Sequence, residues 1–411
     1  MKNCRFLWVA ALLSLGTPTW AENWPAWRGP HGDGSSAETN IPVVWTGASN
    51  VVWKTEVPGT GHASPIVWSD RVFIVSALQD TQDRVLICFD RKSGRVLWRQ
   101  TVITSPLEKK HELNSYASST PATDGERVYV AFLDLQEMVV AAYDFEGRQR
   151  WIVRPGAFKS MHGFSSSPVL FEDKVIVNGD HDGDSYLVAL DRSSGKTVWK
   201  TPREHHTRSY CTPTVFRNLA GRTQMVLSGD MCVASYDPKD GSRHWVIDGP
   251  TEQFVASIVY NPKADLLFMT GGFPEHHLLA IRPDGQGNVT ATHVAWRNNR
   301  ASCVSYVPSP ISVDDYFLVV SDPGYANCFE AATGKLLWQE KVGEHHASPV
   351  LANGLVYFIS DAGVATVVKP GPTLDVMARN DLGEKCFASP ALSQGQIFIR
   401  ADKHLYCLGG H

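Results

Sequence analysis

Residues 166–199 read SSPVLFEDKVIVNGDHDGDSYLVALDRSSGKTVW. A hydroxyl residue and a proline (Ser167-Pro168) lead into an apolar pair, a short polar turn and an apolar run. A second apolar run ends in Asp191, and a glycine turn then leads to Trp199. The same order returns in ASPIVWSDRVFIVS (63–76) with LICFDRKSGRVLW (86–98), and in PSPISVDDYFLVVSD (308–322) with NCFEAATGKLLW (327–338). Seven copies begin at Pro65, Pro121, Pro168, Pro213, Pro310, Pro349 and Pro390; an eighth, without proline, begins near Ala256-Ser257-Ile258. They lie 39 to 56 residues apart, and self-similarity at such a spacing marks a repeat architecture. The closing tryptophans are Trp98, Trp151, Trp199, Trp245, Trp296 and Trp338; in the copy from Pro349, Met377-Ala378-Arg379 takes that place.

Each copy contains four short runs rich in Val, Ile, Phe and Tyr, bounded by Gly, Asp, Asn and Ser, which predicts four strands. In turns such as DRKSG and DRSSG the Asp bonds its own backbone and the Gly takes positive φ. Four strands in about 45 residues make one blade of a β-propeller. A lone blade cannot bury both faces, so blades stack around an axis, with the tryptophan expected between neighbours. The copy from Pro390 supplies three strands, and Val51-Val52-Trp53-Lys54 matches Thr197-Val198-Trp199-Lys200. An N-terminal strand is therefore expected to complete the last blade and remove the open sheet edge. The predicted fold is all-β, a single eight-bladed β-propeller of four-stranded antiparallel blades over residues 51–411, preceded by an extended segment at 22–50. The competing architectures are a β-solenoid, whose repeats are shorter, two small propellers, and a seven-bladed ring with an irregular insert near Ser257.

The 43% hydrophobic and 19% charged content is that of a globular chain, and the net charge of −4 argues against nucleic-acid binding. Residues 1–21 have a short basic start, an apolar run from Phe6 to Leu15, and Thr19-Trp20-Ala21 before Glu22. That is the layout of a cleaved signal peptide, with an uncleaved anchor as the alternative. The expected location is periplasmic or secreted, without a transmembrane span, and the expected state is a monomer. Seven cysteines follow Glu22, an odd number that leaves at least one free. Cys88, Cys328 and Cys407 occupy matching strand positions as small buried hydrophobes.

The repeat, clearest from Ala189-Leu190-Asp191 to Trp199 and from Glu330-Ala331-Ala332-Thr333-Gly334-Lys335 to Trp338, resembles the pyrroloquinoline-quinone (PQQ) type of propeller repeat across nearly the whole mature chain. The opening Trp24-Pro25-Ala26-Trp27-Arg28-Gly29-Pro30 resembles the start of exported bacterial PQQ-like propellers. Two groups share this repeat. In quinoprotein dehydrogenases the resemblance implies PQQ and Ca²⁺ on the axis and oxidation of alcohols or sugars. In the propeller subunit of the outer-membrane β-barrel assembly machinery it implies a cofactor-free scaffold that docks proteins. The dehydrogenases are longer, carry large loops over the cofactor, and many have a vicinal Cys-Cys disulfide; this chain has no Cys-Cys pair.

In an antiparallel meander the loops between blades and those between strands two and three share one face, and the glycine turns lie on the other. His62, His111, His162, His205, His206, His345 and His346 precede first strands, while His181, His276, His277 and His404 fall between strands two and three. Eleven of fifteen histidines are thus placed on one face. Asp180, Asp182, Asp184, Asp230, Asp322, Asp361, Asp402, Arg208, Arg300 and Arg400 are placed near the same rim. Because first strands line the channel, this predicts a polar site at the channel mouth for a metal, an anionic cofactor or a polar ligand; solvated loop residues are the alternative. In Gly179-Asp180-His181-Asp182-Gly183-Asp184-Ser185 the alternating carboxylates suit Ca²⁺, yet Ser185 stands where an EF-hand needs Gly and a strand follows, so an ordinary turn also accounts for it.

No GxSxG, HExxH, HxH, CxxC or phosphate-binding glycine loop occurs. A glycosidase whose two acids come from distant blades stays open, although nothing singles out a pair. The expected function is an exported binding module presenting the His/Asp-rich face to a protein or small polar ligand. The alternative is a PQQ- and Ca²⁺-dependent oxidoreductase. No cofactor is assigned; PQQ and Ca²⁺ are the candidates.

Overall fold

The repeats fold as eight antiparallel sheets, described over residues 22–409 of a computed structural model; the signal-peptide assignment at 1–21 lies outside the described residues. Blade 1 comprises Ile66–Trp68, Arg71–Leu78, Asp83–Asp90 and Val96–Thr104, each strand pairing with the next. First strands follow each of the seven starter prolines and, in blade 5, Ile258. First strands of neighbouring blades lie against one another, which puts them around the axis. The second and third strands are almost wholly buried, as in Arg71–Leu78 and Asp83–Asp90, because both faces of each sheet are covered by neighbours.

Blade 8 contributes Ala391–Ser393, Gln396–Arg400 and His404–Gly409, and the N-terminal strand Val51–Glu56 pairs with the last of these, Trp53 opposite Cys407. Ring closure from the N-terminus is thus achieved, and the sheet edge is paired. The eighth copy near Ser257 is a true blade, Val259–Asn261, Leu266–Gly271, His277–Ile281 and Val294–Asn298. It differs from the others in a longer connection before its last strand. Part of that connection, Gly287–Asn288, runs parallel to Trp245-Val246 and adds a fifth strand to blade 4.

The repeat tryptophans lock blade to blade. The Trp53 indole N–H donates to the Arg91 carbonyl in the next blade's turn at 2.7 Å, Trp98 to Phe145 at 2.8 Å, and Trp151 to Arg192 at 3.1 Å. Trp199, Trp296 and Trp338 do the same to Pro238, Ala331 and Gly371. The ring packs on the glycine of that turn: a Cβ on Gly195 would come within 2.7 Å of Trp151. Trp245 is the exception; it is fully buried and donates to Gln224 Oε1 within its own blade.

A second set of contacts runs around the axis. At six of the eight blade starts the hydroxyl before the starter accepts the backbone N–H of its counterpart in the preceding blade. Ser64 donates to Thr120, Thr120 to Ser167 and Ser167 to Thr212, at 3.0, 2.9 and 2.9 Å. Ser257 donates to Ser309, Ser309 to Ser348 and Ser348 to Ser389, at 2.9, 2.8 and 2.8 Å. The Ser-Pro of the repeat is thus an inter-blade fastening. All seven described cysteines are buried and free, and no described helix is long and apolar enough to cross a membrane.

Gly195 and Gly354 both have positive φ, 72° and 68°, but only Gly195 faces a tryptophan; nothing lies within 4 Å of a Cβ on Gly354. Gly195→Ala is therefore expected to cost about 2 kcal/mol more than Gly354→Ala, the usual size of an overpacking penalty. Denaturant midpoints of the two variants check this; equal losses would remove the tryptophan contact from the explanation.

Candidate functional site: a blind cavity at the channel mouth

The segment before Val51 shapes the site from below. Trp24 exchanges two backbone hydrogen bonds with Val67 of blade 1, and Ser36 and Gly34 bond Leu351 of blade 7. Arg28, almost fully buried, donates to the carbonyls of Pro349 at 2.5 Å, Pro310 at 2.6 Å and Asp33 at 2.7 Å. Burial away from a carboxylate partner pulls its pKa down to about 10, with Asp33 opposing. Trp27 stands beside it in the channel and donates from Nε1 to Ser257 Oγ at 3.1 Å. The channel is therefore closed at this end, and Trp27 lines a cavity of about 410 Å³ at the other.

The wall follows the repeat register. The residue two positions before the hydroxyl lines the cavity in every blade: His62, Ser118, Ser165 and Tyr210 in blades 1 to 4, then Val255, Val307, His346 and Phe387 in blades 5 to 8. This is the alternation expected of extended chain approaching a strand, where every second side chain shares a face. His111, His162, Gln253 and Tyr306 fill in from the same loops.

The polar wall groups are held in place from behind. Gln253 donates from Nε2 to His162 Nδ1 at 3.2 Å and to the Tyr306 hydroxyl, and accepts from Arg208 Nε at 3.2 Å. Arg208 is paired with Asp182 at 2.8 Å. Asp322 accepts the backbone N–H groups of Tyr306 and Val307 at 2.7 and 3.0 Å. Asp361 accepts from the His346 backbone at 2.8 Å and from His346 Nδ1 at 2.7 Å. Phe387 lies between two imidazoles, with centroids 4.9 Å from His62 and 5.2 Å from His346.

These surroundings set the charge. Burial, reinforced by Arg400, pushes His62 down to about 4, and burial with Arg208 also lowers His162. At His346 burial pulls downward, but the hydrogen bond and charge of Asp361 outweigh it and the pKa is raised. The lining contains no Asp, Glu, Lys or Arg.

Of the sequence-predicted residues, the fold brings His62, His111, His162 and His346 into the wall, with Arg208, Asp322 and Asp361 directly behind. The rest lie elsewhere. His205 and His206 are exposed, and His206 bonds the Gly183 carbonyl. His276 is exposed, and His277 faces Glu275. His404 pairs with Glu384 at 2.7 Å. His345 is fully buried against Phe358, Nδ1 donating to the Gly343 carbonyl and Nε2 without a partner. In the Asp180–Asp184 turn the three carboxylates face apart. Asp180 is buried in a two-pronged bond to Arg203, Asp182 pairs with Arg208, and Asp184 is exposed. Among the described residues no three His, Cys, Asp or Glu side chains are gathered as metal ligands. Sequence reasoning missed Trp27, Tyr210, Gln253, Tyr306 and Phe387. Aligning the copies on the hydroxyl-proline pair and reading two residues back finds Tyr210 and Phe387.

The model of a protein family described as outer membrane protein assembly factor BamB matches residues 43–151 and 136–370. The chain belongs to this family. BamB from Moraxella catarrhalis superposes with a TM-score of 0.60 at 14% identity, over 87% of this chain and 99% of that one. A europium-containing methanol dehydrogenase superposes at 0.58 with 11% identity, over 95% and 98%. These are likenesses of fold. A polyvinylalcohol dehydrogenase from Pseudomonas sp is 24% identical over 210 residues, 46% of this chain but only 30% of that protein.

Two titrations follow. Asp361→Asn removes what raises His346, so its pKa is expected to move from above the usual 6.5 to below it; NMR of labelled imidazoles reads this. Burial holds His345 at about 4 against an ordinary 6.5. Between those values the unfolded chain binds a proton there and the folded chain does not. Stability is full above the window and falls through it as pH drops, by about 3 kcal/mol in all. His345→Asn keeps a donor for the Gly343 carbonyl, and its loss of stability on acidification should be smaller by about 2 kcal/mol. An unchanged loss in denaturant titrations would mean that His345 is not held neutral.

Proposed function

We propose that this chain is an exported binding module whose channel-mouth cavity receives a small polar ligand or a side chain of a protein partner. The observation that carries this reading is the cavity itself, closed below by Trp27 and Arg28 and walled by oriented imidazole, phenol and amide groups. A concave, largely apolar site with a few fixed polar groups is what small-ligand recognition requires. The basic and apolar layout of residues 1–21 supports export. Membership in a family described as an outer membrane assembly factor supports a protein partner. A PQQ- and Ca²⁺-dependent oxidoreductase is the second reading, favoured by the dehydrogenase likenesses.

The wall chemistry does not fit that cofactor pair. Ca²⁺ needs carboxylate and carbonyl oxygens, and a quinone tricarboxylate needs cations, whereas no carboxylate, Lys or Arg lines the cavity. Val255→Trp fills the cavity from a wall position without a polar bond to lose. Saturation-transfer NMR with small neutral fragments is expected to find binders on the wild type that disappear in Val255→Trp. Calorimetry is expected to show no one-to-one PQQ binding with or without Ca²⁺. Fragment binding that persists in the filled variant, or tight calcium-dependent PQQ binding, would overturn the proposal.

A further inference from the structure

The binding reading leaves the chemical class of the ligand open, and the wall narrows it. The cavity has one opening, because Arg28 and Trp27 close the channel beneath it. It admits the end of a ligand and not a chain passing through. Its floor is aromatic: the only polar atom of the Trp27 side chain is engaged by Ser257, so the half-buried ring offers carbon surface. Its polar groups come from blades spread around the whole ring, His62, His111, His162, Tyr306 and His346 among them.

Hydrogen-bond partners fix which atoms are free. His111 Nδ1 accepts the Leu113 N–H at 3.2 Å, and His162 Nδ1 accepts from Gln253, whose amide is itself oriented by Arg208. Both imidazoles therefore carry their proton on Nε2 and offer it as a donor. His346 donates from Nδ1 to Asp361, so its Nε2 is the free atom, an acceptor while the ring is neutral and a donor once it is protonated. The Tyr306 hydroxyl accepts from Gln253 and keeps its own proton to donate. Three donors, His111, His162 and Tyr306, thus stand around the wall with His346 Nε2, a set that suits hydroxyl groups, which both accept and donate. An ion would find no Asp, Glu, Lys or Arg in the lining, and the charge of a protonated His346 is already paired with Asp361, so an ion buried there is costly. Arg400 lies outside the cavity, fully buried and bonded to Val75 O and Ser76 Oγ.

A flat apolar face with an uncharged hydroxyl rim describes a pyranose. We propose that the cavity binds the terminal unit of a neutral saccharide, its apolar face on Trp27 and its hydroxyls among His111, His162, Tyr306 and His346. This rests on the reading of the cavity as a binding site.

The test is calorimetry and saturation-transfer NMR on the mature chain with methyl glucoside, methyl galactoside, maltose and cellobiose, with glucuronate as the charged counterpart and phenol as a neutral aromatic probe. At least one neutral saccharide is expected to bind, with glucuronate weaker by about tenfold or more. Trp27→Ala should weaken binding by about tenfold or more, and Trp27→Phe, which keeps a ring, by less. If Trp27→Ala does not fold, Trp27→Phe and Tyr306→Phe carry the test, each expected to weaken binding while the unfolding midpoint holds. Saccharide affinity unchanged in these folded variants, or glucuronate bound as tightly, overturns the proposal. Phenol binding that is lost in Val255→Trp, with no saccharide binding, overturns the saccharide and leaves the binding module standing. Failure of every probe overturns both.

Discussion

Five of the eight blade junctions are held by an indole that rests on a glycine and donates to the same turn. The DxxxG turn leaves a bare Cα and a free carbonyl facing the preceding blade, and the tryptophan covers the first and donates to the second, as Trp151 does to Gly195 and Arg192. A side chain on that glycine would push the blades apart, and a smaller ring would leave a void between two closely packed sheets. This pair sets the distance between neighbours five times, under Trp53, Trp98, Trp151, Trp199 and Trp296, while Trp338 keeps the hydrogen bond alone, to the Gly371 carbonyl.

The junction of blades 4 and 5 shows what happens when the indole does not donate to the next turn. The turn of blade 5 brings Gly285 against Trp245, a Cβ there lying 3.2 Å from the ring, but the connection runs on, and Gly287 pairs beside Trp245 as a parallel partner. Trp245 then finds a hydrogen bond inside its own blade, at Gln224. The hydroxyl chain around the axis shows no bond between Thr212 and Ser257, at the same boundary. The boundary is held instead by other bonds, Thr214 Oγ1 to the Ile258 carbonyl at 2.7 Å and Gln224 Nε2 to the Pro283 carbonyl at 2.9 Å, over a buried cluster with Trp245, Phe254 and Val289.

The cavity is a by-product of the same regularity. In the extended chain that enters each first strand, the hydroxyl and the side chain two residues earlier share a face, and that face looks on the axis. Eight loops therefore aim eight side chains at one space, and the floor comes from the N-terminal segment crossing the other end. The acids near the rim serve this arrangement from behind: Asp322 fixes the loop of Tyr306, and Asp361 orients His346. Holding these charges one layer back leaves a lining without Asp, Glu, Lys or Arg over an organised polar shell.

The sequence by itself determined the repeat, the strand order within a blade and the closing strand at Val51–Glu56, and its eight copies became eight blades. These depend on local signals, namely β-rich runs, turn residues and a period, and a repeat writes them eight times. Even the wall positions were legible in the register, since periodicity decides which residues face the axis. Which histidines converge was decided only by the tertiary structure. His345 and His346 are adjacent in sequence, yet one is buried against Phe358 and the other opens on the cavity, because neighbours in extended chain point to opposite sides. The place of Trp27 was equally hidden, for it belongs to no repeat. Its position comes from hydrogen bonds that the N-terminal segment makes to blades distant in the chain, Arg28 to Pro310 and Pro349 above all.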